Sequence, residues 1–129
     1  VAYFMIGTPV ERTRADVAHT IAYSIKLDPD FVMFNLMTPF PGTTLFDEGL
    51  RDGVLDLEPW TEFMRNPDES FKAQVWDEHF TREELRDLLE GAYRSFYWRP
   101  KFVLRNITQI RNATDFKRKA TAGLRLLTG

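Results

Sequence analysis

Two short apolar runs, separated by a stretch with helical spacing, are the feature of this sequence that most constrains its fold. Residues 1–6 read VAYFMI, and residues 31–37 read FVMFNLM. Unbroken apolar runs of this length, rich in strand formers, are typical of strands buried on both faces, as in a parallel sheet. We therefore predict a β-strand at each of these positions.

A helix is predicted between the two strands. Thr13 followed by Asp16 resembles a capping box, and apolar residues then recur at helical spacing until Pro29 interrupts the pattern. A strand, a helix near residues 13–27 and a second strand form a βαβ unit, whose strands should be parallel and whose crossover should be right-handed. Two strands cannot close a sheet. Their edges should therefore be covered by missing neighbours, by helices or by a second copy in a homo-oligomer.

The rest of the chain is predicted to be helical, apart from an aromatic-rich linker. Thr43 or Thr44 can cap a short helix that ends near Arg51, and residues 54–80 are expected to form an ordered loop with short turns. Thr81 and Glu84 form a capping box, and the helix predicted over residues 81–98 carries the clearest apolar stripe of the chain. Two more helices are predicted around residues 102–110 and 116–127. The expected organisation is an α/β part over residues 1–53, a linker over 54–80 and a helical extension over 81–129. The stripe expected to be buried consists of Leu85, Leu88, Leu89, Ala92, Tyr93 and Phe96.

Several kinds of site are excluded by residue types and spacing. The chain contains no cysteine, which rules out disulfides, thiolate catalysis and a cysteine-bound cluster within these residues. His19 and His79 lack the spacing of metal ligands. The serines lack a nucleophile elbow, and no glycine-rich phosphate loop is present. No apolar run approaches the roughly 20 residues that span a membrane, so we expect a cytoplasmic protein, with membrane association as the alternative.

The charge is distributed unevenly along the chain. Residues 1–98 carry nine Lys and Arg against eighteen Asp and Glu, whereas residues 99–129 carry eight Lys and Arg and a single acid, Asp115. One interpretation is a non-catalytic binding module, in which the basic helices contact anionic lipid, nucleic acid or a partner protein. We favour the other, a basic helix that lies on the acidic body of the same protein, and do not expect nucleic acid to be the partner.

The ends of the two predicted strands are the candidate ligand edge, because ligands of α/β folds bind at the carboxyl ends of parallel strands. Gly7 allows close approach of a ligand, and Glu11 could accept hydrogen bonds from a ribose or an amine. The alternative is a plain turn, with Glu11 placed before a helix N-terminus. Asn35 is polar within an apolar run and could bind a ligand or satisfy neighbouring backbone. Met37 is more often core filler than a ligand contact.

Two loops and one helix carry motifs that resemble a known family. Residues 7–13 read GTPVERT, close to a Gly-x-Pro-Gly-Glu-Thr strand end, with Val10 replacing the second glycine and Arg12 preceding the threonine. Residues 39–43 contain an intact Pro-x-Pro-Gly-Thr, and residues 93–100 read YRSFYWRP. In these respects the chain resembles the C-terminal part of radical S-adenosylmethionine enzymes with a cobalamin-binding domain. The pattern of residues 93–100 resembles that of anaerobic magnesium-protoporphyrin IX monomethyl ester oxidative cyclases and of related hopanoid- or lipid-modifying enzymes.

The resemblance implies a fold and a cofactor site. The two strands would be the fifth and sixth of a partial (β/α) barrel, followed by a helical extension. Their ends would cradle the adenine and ribose of S-adenosylmethionine, largely through backbone groups. Carried over to this sequence, the cofactor-binding residues are Ile6, Gly7, Thr8, Pro9, Asn35, Met37 and Pro39.

The resemblance also implies an activity that this chain cannot perform alone. In the family a [4Fe-4S] cluster, held by three cysteines, cleaves S-adenosylmethionine to a radical that abstracts hydrogen from the substrate. The absence of cysteine implies that the cluster motif lies in a missing N-terminal segment of the same polypeptide, and the resemblance implies a cobalamin-binding domain further upstream. The expected parent is an oxidoreductase acting on a small-molecule substrate, a tetrapyrrole as in bacteriochlorophyll biosynthesis, with a lipid as the alternative. No catalytic or metal-binding residue is assigned to this chain.

Overall fold

The computed structural model describes residues 1–108, and in this part the chain is an α/β protein with one small sheet. The predicted helix around residues 116–127 therefore lies outside the described residues. The elements, in chain order, are β1 Ala2–Ile6, α1 Arg14–Leu27, β2 Val32–Leu36, α2 Thr44–Arg51, α3 Glu58–Arg65, α4 Arg82–Tyr97 and α5 Pro100–Thr108.

β1 and β2 form a two-stranded parallel sheet, as the βαβ pattern predicted. The register pairs Ala2 with Val32 and Ile6 with Leu36, so both strands end at the same level. The predicted capping box of α1 is also present: the Thr13 hydroxyl accepts from the Asp16 amide, and the Asp16 carboxylate accepts from the Thr13 amide. α1 ends at Leu27, and Asp28 caps it in a left-handed conformation with φ of 45°.

The two faces of the sheet have different surroundings. α1 and α4 cover one face, where Ile6, Val32 and Phe34 are buried. On the other face Tyr3 is 69% exposed, Met5 48% and Met33 43%. The prediction that both strands are buried on both faces is therefore wrong for the described residues. The two strands are present as predicted, but residues 1–108 supply helices for one face of the sheet alone.

The two edges of the sheet also differ. At the outer edge of β2, the backbone N–H and C=O groups of Val32 and Phe34 are hydrogen-bonded by the hydroxyls of Tyr97 and Tyr93 on α4. At β1, Ala2 and Ile6 bond toward the β2 side, so by strand alternation Tyr3 and Met5 direct their backbone groups outward. Those outward groups have no hydrogen bond within the described residues. Tyrosine side chains thus satisfy the backbone groups at the β2 edge, whereas those at the β1 edge stay unpaired within the described residues.

Two apolar clusters hold the elements together. The main one lies between the sheet, α1 and α4, and α4 contributes its predicted stripe to it, with Leu85, Ala92 and Phe96 fully buried. The second lies beyond β2, where Phe46 of α2 packs with Leu55 and Trp76. Among residues 1–108, no helix is long and apolar enough to cross a membrane.

One helix was not expected from the sequence, and another agrees with the expectation. Residues 54–80 were expected to form a loop with short turns, yet α3 lies within them, with Pro59 in its first turn. Proline favours the first turn of a helix, because its fixed φ suits that position and its missing N–H is not needed there. The helix predicted around residues 102–110 is present as α5, which begins at Pro100.

Candidate functional site

The carboxyl ends of β1 and β2 place two loops side by side. The Met37 amide donates to the Ile6 carbonyl oxygen at 2.8 Å, which extends the strand pairing by one bond beyond Leu36. The first loop contains Gly7, Thr8 and Pro9, and the second contains Met37 and Pro39. The structure therefore brings the residues proposed from the sequence to one edge of the sheet.

The first loop is organised by a buried carboxylate. Glu11 is 5% exposed, and its Oε2 accepts from the amides of Gly7 at 2.8 Å and Thr8 at 3.1 Å, and from the Thr8 hydroxyl at 3.3 Å. Its Oε1 accepts from the Thr20 hydroxyl of α1 at 2.6 Å. A carboxylate that accepts from backbone amides makes strong charge-assisted bonds. Glu11 therefore fixes the turn and ties it to α1. Its oxygens are used within the chain, which favours the turn interpretation over a ligand contact.

Gly7 is required by the protein itself. Its φ is +74°, and a Cβ atom at this position would lie 2.6 Å from Leu85 Cδ2 of α4. The side of Gly7 where a side chain would point is therefore filled by this chain. The Gly7 amide is bound to Glu11, whereas its carbonyl has no hydrogen bond within the described residues. Any ligand contact at Gly7 would have to use that carbonyl.

The second loop is anchored on the second apolar cluster. The Met37 side chain is partly buried against this cluster, as expected for core filler. Its carbonyl oxygen accepts from the Trp76 amide at 2.8 Å. Pro39 is buried, and the Thr43 hydroxyl caps α2 by accepting from the Phe46 amide at 3.3 Å. The backbone of Met37 is therefore fully used in holding the loop.

Asn35 differs from the other proposed residues, because its side chain lies on the uncovered face of the sheet. It pairs in register with Met5, and both are exposed. Its side-chain amide has no hydrogen bond within residues 1–108. Of the two alternatives considered from the sequence, Asn35 does not satisfy neighbouring backbone here. Its side-chain amide lies on that face together with the exposed side chains of Tyr3, Met5 and Met33.

The remaining proposed residues contribute in other ways. The Ile6 side chain is completely buried beneath the helices, on the face opposite Asn35. Thr8 and Pro9 are half-buried at the rim of the sheet. The set is thus divided: Asn35 and the Gly7 carbonyl are available, and the other groups mainly shape the edge.

The first part of the basic segment binds the acidic body of the same chain. Asp28 lies within salt-bridge distance of Arg99 at 3.2 Å, Lys101 at 2.8 Å and Arg105 at 3.3 Å. The hydrogen bond from Lys101, together with the charges of Arg105, Lys101 and Arg99, holds the pKa of Asp28 below its usual value despite partial desolvation. Arg99 also donates to the Ile25 carbonyl oxygen at the end of α1. These contacts favour the intramolecular interpretation for residues 99–105.

Two features of the described structure were not found by sequence reasoning. The first is the pair of tyrosine hydroxyls that close the β2 edge, for which the spacing of four residues between Tyr93 and Tyr97 was the available signal. The second is that Phe40 joins the linker aromatics Trp60, Phe63 and Phe71, which were expected to pin the loop, in one cluster next to the second loop. Within residues 1–108, no three His, Asp or Glu side chains come together as a metal site would require.

Comparison with known proteins gives one informative similarity. The chain is 38% identical over 104 residues to a protein of Pyrococcus horikoshii described as an uncharacterized methyltransferase. That match covers 81% of this chain and 21% of the relative, so the chain spans about a fifth of the length of the protein it matches. No family model matches the chain. No solved structure matches it either.

Proposed function

We propose that this chain is the C-terminal part of an S-adenosylmethionine-dependent radical enzyme, in which β1 and β2 are two strands of a partial (β/α) barrel. The observation that carries the proposal is the uncovered face of the sheet, with Tyr3, Met5 and Met33 exposed beside the unpaired amide of Asn35. In a barrel, helices cover the outside of the sheet and the other face lines the interior. α1 and α4 stand on the outside in this arrangement.

The edges of the sheet are consistent with this role. Unpaired backbone groups at the edge of a sheet are a template for another strand. Such groups occur at β1, whereas the tyrosines occupy the edge of β2. In the proposal, further barrel strands add beside β1, and they belong to other segments of the same polypeptide. A pairing of two copies through β1 is the homo-oligomeric alternative for the isolated chain.

The strand ends have groups that suit the adenosyl part of the cofactor. Adenine offers an amino donor and ring-nitrogen acceptors, and the Gly7 carbonyl and the Asn35 amide complement these groups. Ile6, Thr8, Pro9, Met37 and Pro39 would then define the shape of the edge rather than supply hydrogen bonds. When bound to a [4Fe-4S] cluster, S-adenosylmethionine supplies a radical. This chain offers no thiolate for that cluster, so in the proposal the cluster, and a cobalamin if one is used, are held by other segments.

Two reactions fit the proposal, and each has its own support. The description of the Pyrococcus horikoshii relative as a methyltransferase favours transfer of a methyl group. The YRSFYWRP pattern of residues 93–100 favours instead an oxidative cyclisation of a tetrapyrrole, as in the cyclases that the sequence resembles. Both reactions use S-adenosylmethionine, so the binding site proposed here is common to them.

The decisive experiment measures S-adenosylmethionine binding by the longer polypeptide that contains this chain. Calorimetry on the Asn35→Leu variant, which removes the amide while roughly keeping its volume, should show weaker binding with unchanged iron content. Loss of one net hydrogen bond costs about 0.5–1.5 kcal/mol, or roughly 2- to 12-fold in affinity. Asn66→Leu, at the exposed end of α3, is the matched control and should bind normally. Equal binding by wild type and Asn35→Leu would remove Asn35 from the site.

A further inference from the structure

The aromatic cluster beyond β2 consists of Phe40, Trp60, Phe63 and Phe71. The ring centroid of Trp60 lies 4.8 Å from that of Phe71 and 5.6 Å from that of Phe40. Phe63 stacks on Phe71, with 4.3 Å between their ring centroids. Phe40 follows Pro39, so the cluster begins one residue after the second strand-end loop. None of the residues of α3 is buried, although α3 supplies two of the four rings. The cluster is therefore a half-open aromatic surface at the edge of the candidate site.

One polar group in this cluster lacks a partner. The Nε1 atom of Trp60 is buried and has no hydrogen bond within the described residues. Trp76, on the adjoining apolar cluster, shows the usual arrangement, since its Nε1 donates to Glu78 Oε2 at 3.1 Å. A buried indole N–H ordinarily finds an acceptor, because leaving it unpaired costs free energy. Trp60 thus has a donor for which residues 1–108 provide no acceptor.

Phe40 is the member of the cluster best able to move. It is 55% exposed, and exposed side chains change rotamer rapidly. It contacts Trp60 in a tilted arrangement, with 58° between the ring planes. Phe40 is therefore the ring that a planar ligand would displace in order to stack against the indole.

We propose that the aromatic cluster binds a planar heteroaromatic ring whose ring nitrogen or carbonyl oxygen accepts a hydrogen bond from Trp60 Nε1. A heteroaromatic ring fits both the aromatic faces and the unpaired donor of the cluster, because it stacks on aromatic faces and carries a hydrogen-bond acceptor in its own plane. This inference goes beyond the proposed function, since it needs neither a barrel nor S-adenosylmethionine and rests on residues of this chain alone.

The test uses a matched pair of probes on the ¹⁵N-labelled 129-residue chain. Quinoline and naphthalene have nearly the same shape, but only quinoline has an acceptor. Titration is followed by the indole N–H resonances, with the Trp60 signal assigned by its loss in Trp60→Phe. Quinoline should move the Trp60 indole proton downfield and bind about 2- to 12-fold more tightly than naphthalene, the value of one net hydrogen bond.

Variants separate the hydrogen bond from stacking. Trp60→Phe should bind both probes equally, because it keeps an aromatic ring and loses the donor. Trp98→Phe is the control, since Trp98 is 62% exposed, and it should keep the preference for quinoline. If Trp60→Phe fails to fold, Phe40→Ala replaces it and should keep the preference while exposing the Trp60 ring.

Three outcomes would overturn the proposal. One is equal affinity of the wild-type chain for quinoline and naphthalene. Another is displacement of quinoline by decanoate at equal concentration, which would indicate a site for aliphatic chains. The third is a persistent water contact at the Trp60 indole proton that quinoline does not remove, which would mean that ordered water satisfies this group. Because the isolated chain is used, failure here is distinct from failure of S-adenosylmethionine binding in the longer polypeptide.

Discussion

The hydroxyl of Tyr97 makes two hydrogen bonds to a single residue of β2, donating to the Val32 carbonyl oxygen at 2.7 Å and accepting from the Val32 amide at 3.1 Å. Tyr93 makes the same pair of bonds to Phe34, at 2.9 Å and 3.1 Å. The spacing matches because four residues of a helix rise about 6 Å and two residues of a strand about 6.6 Å. α4 therefore takes the place of a third strand at this edge.

Removing these hydroxyls should destabilise the chain. In Tyr97→Phe, the N–H and C=O groups of the buried Val32 lose their partner, and an unsatisfied buried group costs about 1–3 kcal/mol. We expect a loss of that size in the free energy of unfolding in urea, and faster hydrogen exchange at the Val32 amide. Tyr23→Phe is the control, since Tyr23 is 56% exposed and its hydroxyl makes no hydrogen bond within the described residues. A loss below about 0.5 kcal/mol would contradict this role for Tyr97.

The pH dependence of stability should report the burial of the Tyr97 hydroxyl. Burial raises the pKa of Tyr97 above its ordinary value of 10.0. A raised pKa in the folded state means that the folded chain holds the proton more tightly than the unfolded chain. The stabilisation is therefore fully present below pH 10 and is lost as the pH rises through the folded pKa. Unfolding followed by circular dichroism between pH 9 and 11.5 should show this loss in wild type and a smaller one in Tyr97→Phe. Equal pH profiles for wild type and Tyr97→Phe would contradict a raised pKa of Tyr97 in the folded chain.

Local signals explain which elements the sequence could predict. The capping boxes that begin α1 and α4 use residues three positions apart, so Thr13 with Asp16 and Thr81 with Glu84 were visible in the chain. The parallel pairing of β1 and β2 followed from the helix between them. The start of α3 was missed because proline usually interrupts a helix, whereas Pro59 lies in the first turn of this one.

The candidate site was less predictable, because its contacts depend on distant residues. Tyr97 and Val32 are 65 positions apart, and nothing in the strand indicates that tyrosines will occupy its edge. The sequence likewise suggested a ligand as the reason for Gly7, but the neighbour that excludes a side chain is Leu85 of α4. Asn35 was visible as a polar residue within an apolar strand, and its side chain lies on the uncovered face of the sheet.

Gly7 should tolerate no side chain, for two separable reasons. Its φ of +74° disfavours a Cβ atom, at about 1–2 kcal/mol, and that atom would also meet Leu85 Cδ2 at 2.6 Å. Gly7→Ala should therefore destabilise the chain by more than about 1 kcal/mol in urea unfolding. Because Leu85→Ala removes the clash but not the strain, a double-mutant cycle should show that the pair costs less than the sum of the single changes. Strict additivity would mean that the helix moves freely away from Gly7.

The charge of Asp28 should matter at acidic pH. The hydrogen bond from Lys101 and the neighbouring cations lower its pKa, so its stabilising effect is present above the ordinary value of 3.8 and is lost as the pH falls through the folded pKa. Asp28→Asn removes the charge and tolerates the left-handed φ of 45°. We expect this variant to be less stable than wild type at pH 7 and low salt, and the difference to shrink toward pH 2. Asp30→Asn, an 87% exposed side chain, should change stability less.

Glu11 should be needed for the strand-end loop rather than for chemistry. Its Oε2 accepts hydrogen bonds from the backbone amides of Gly7 and Thr8, and its Oε1 accepts one from the Thr20 hydroxyl. Glu11→Gln can keep the amide contacts by turning its carbonyl oxygen toward Gly7 and Thr8 and donating its NH₂ to the Thr20 hydroxyl. Glu11→Leu loses them all, and each hydrogen bond to a charged group contributes about 1.5–3 kcal/mol. We expect Glu11→Leu to lose at least that amount in urea unfolding and Glu11→Gln to lose less, with faster amide exchange at Gly7 and Thr8 in the leucine variant. If both variants were as stable as wild type, while binding of S-adenosylmethionine by the longer polypeptide fell in both, Glu11 would be a ligand residue and the turn would be held by something else.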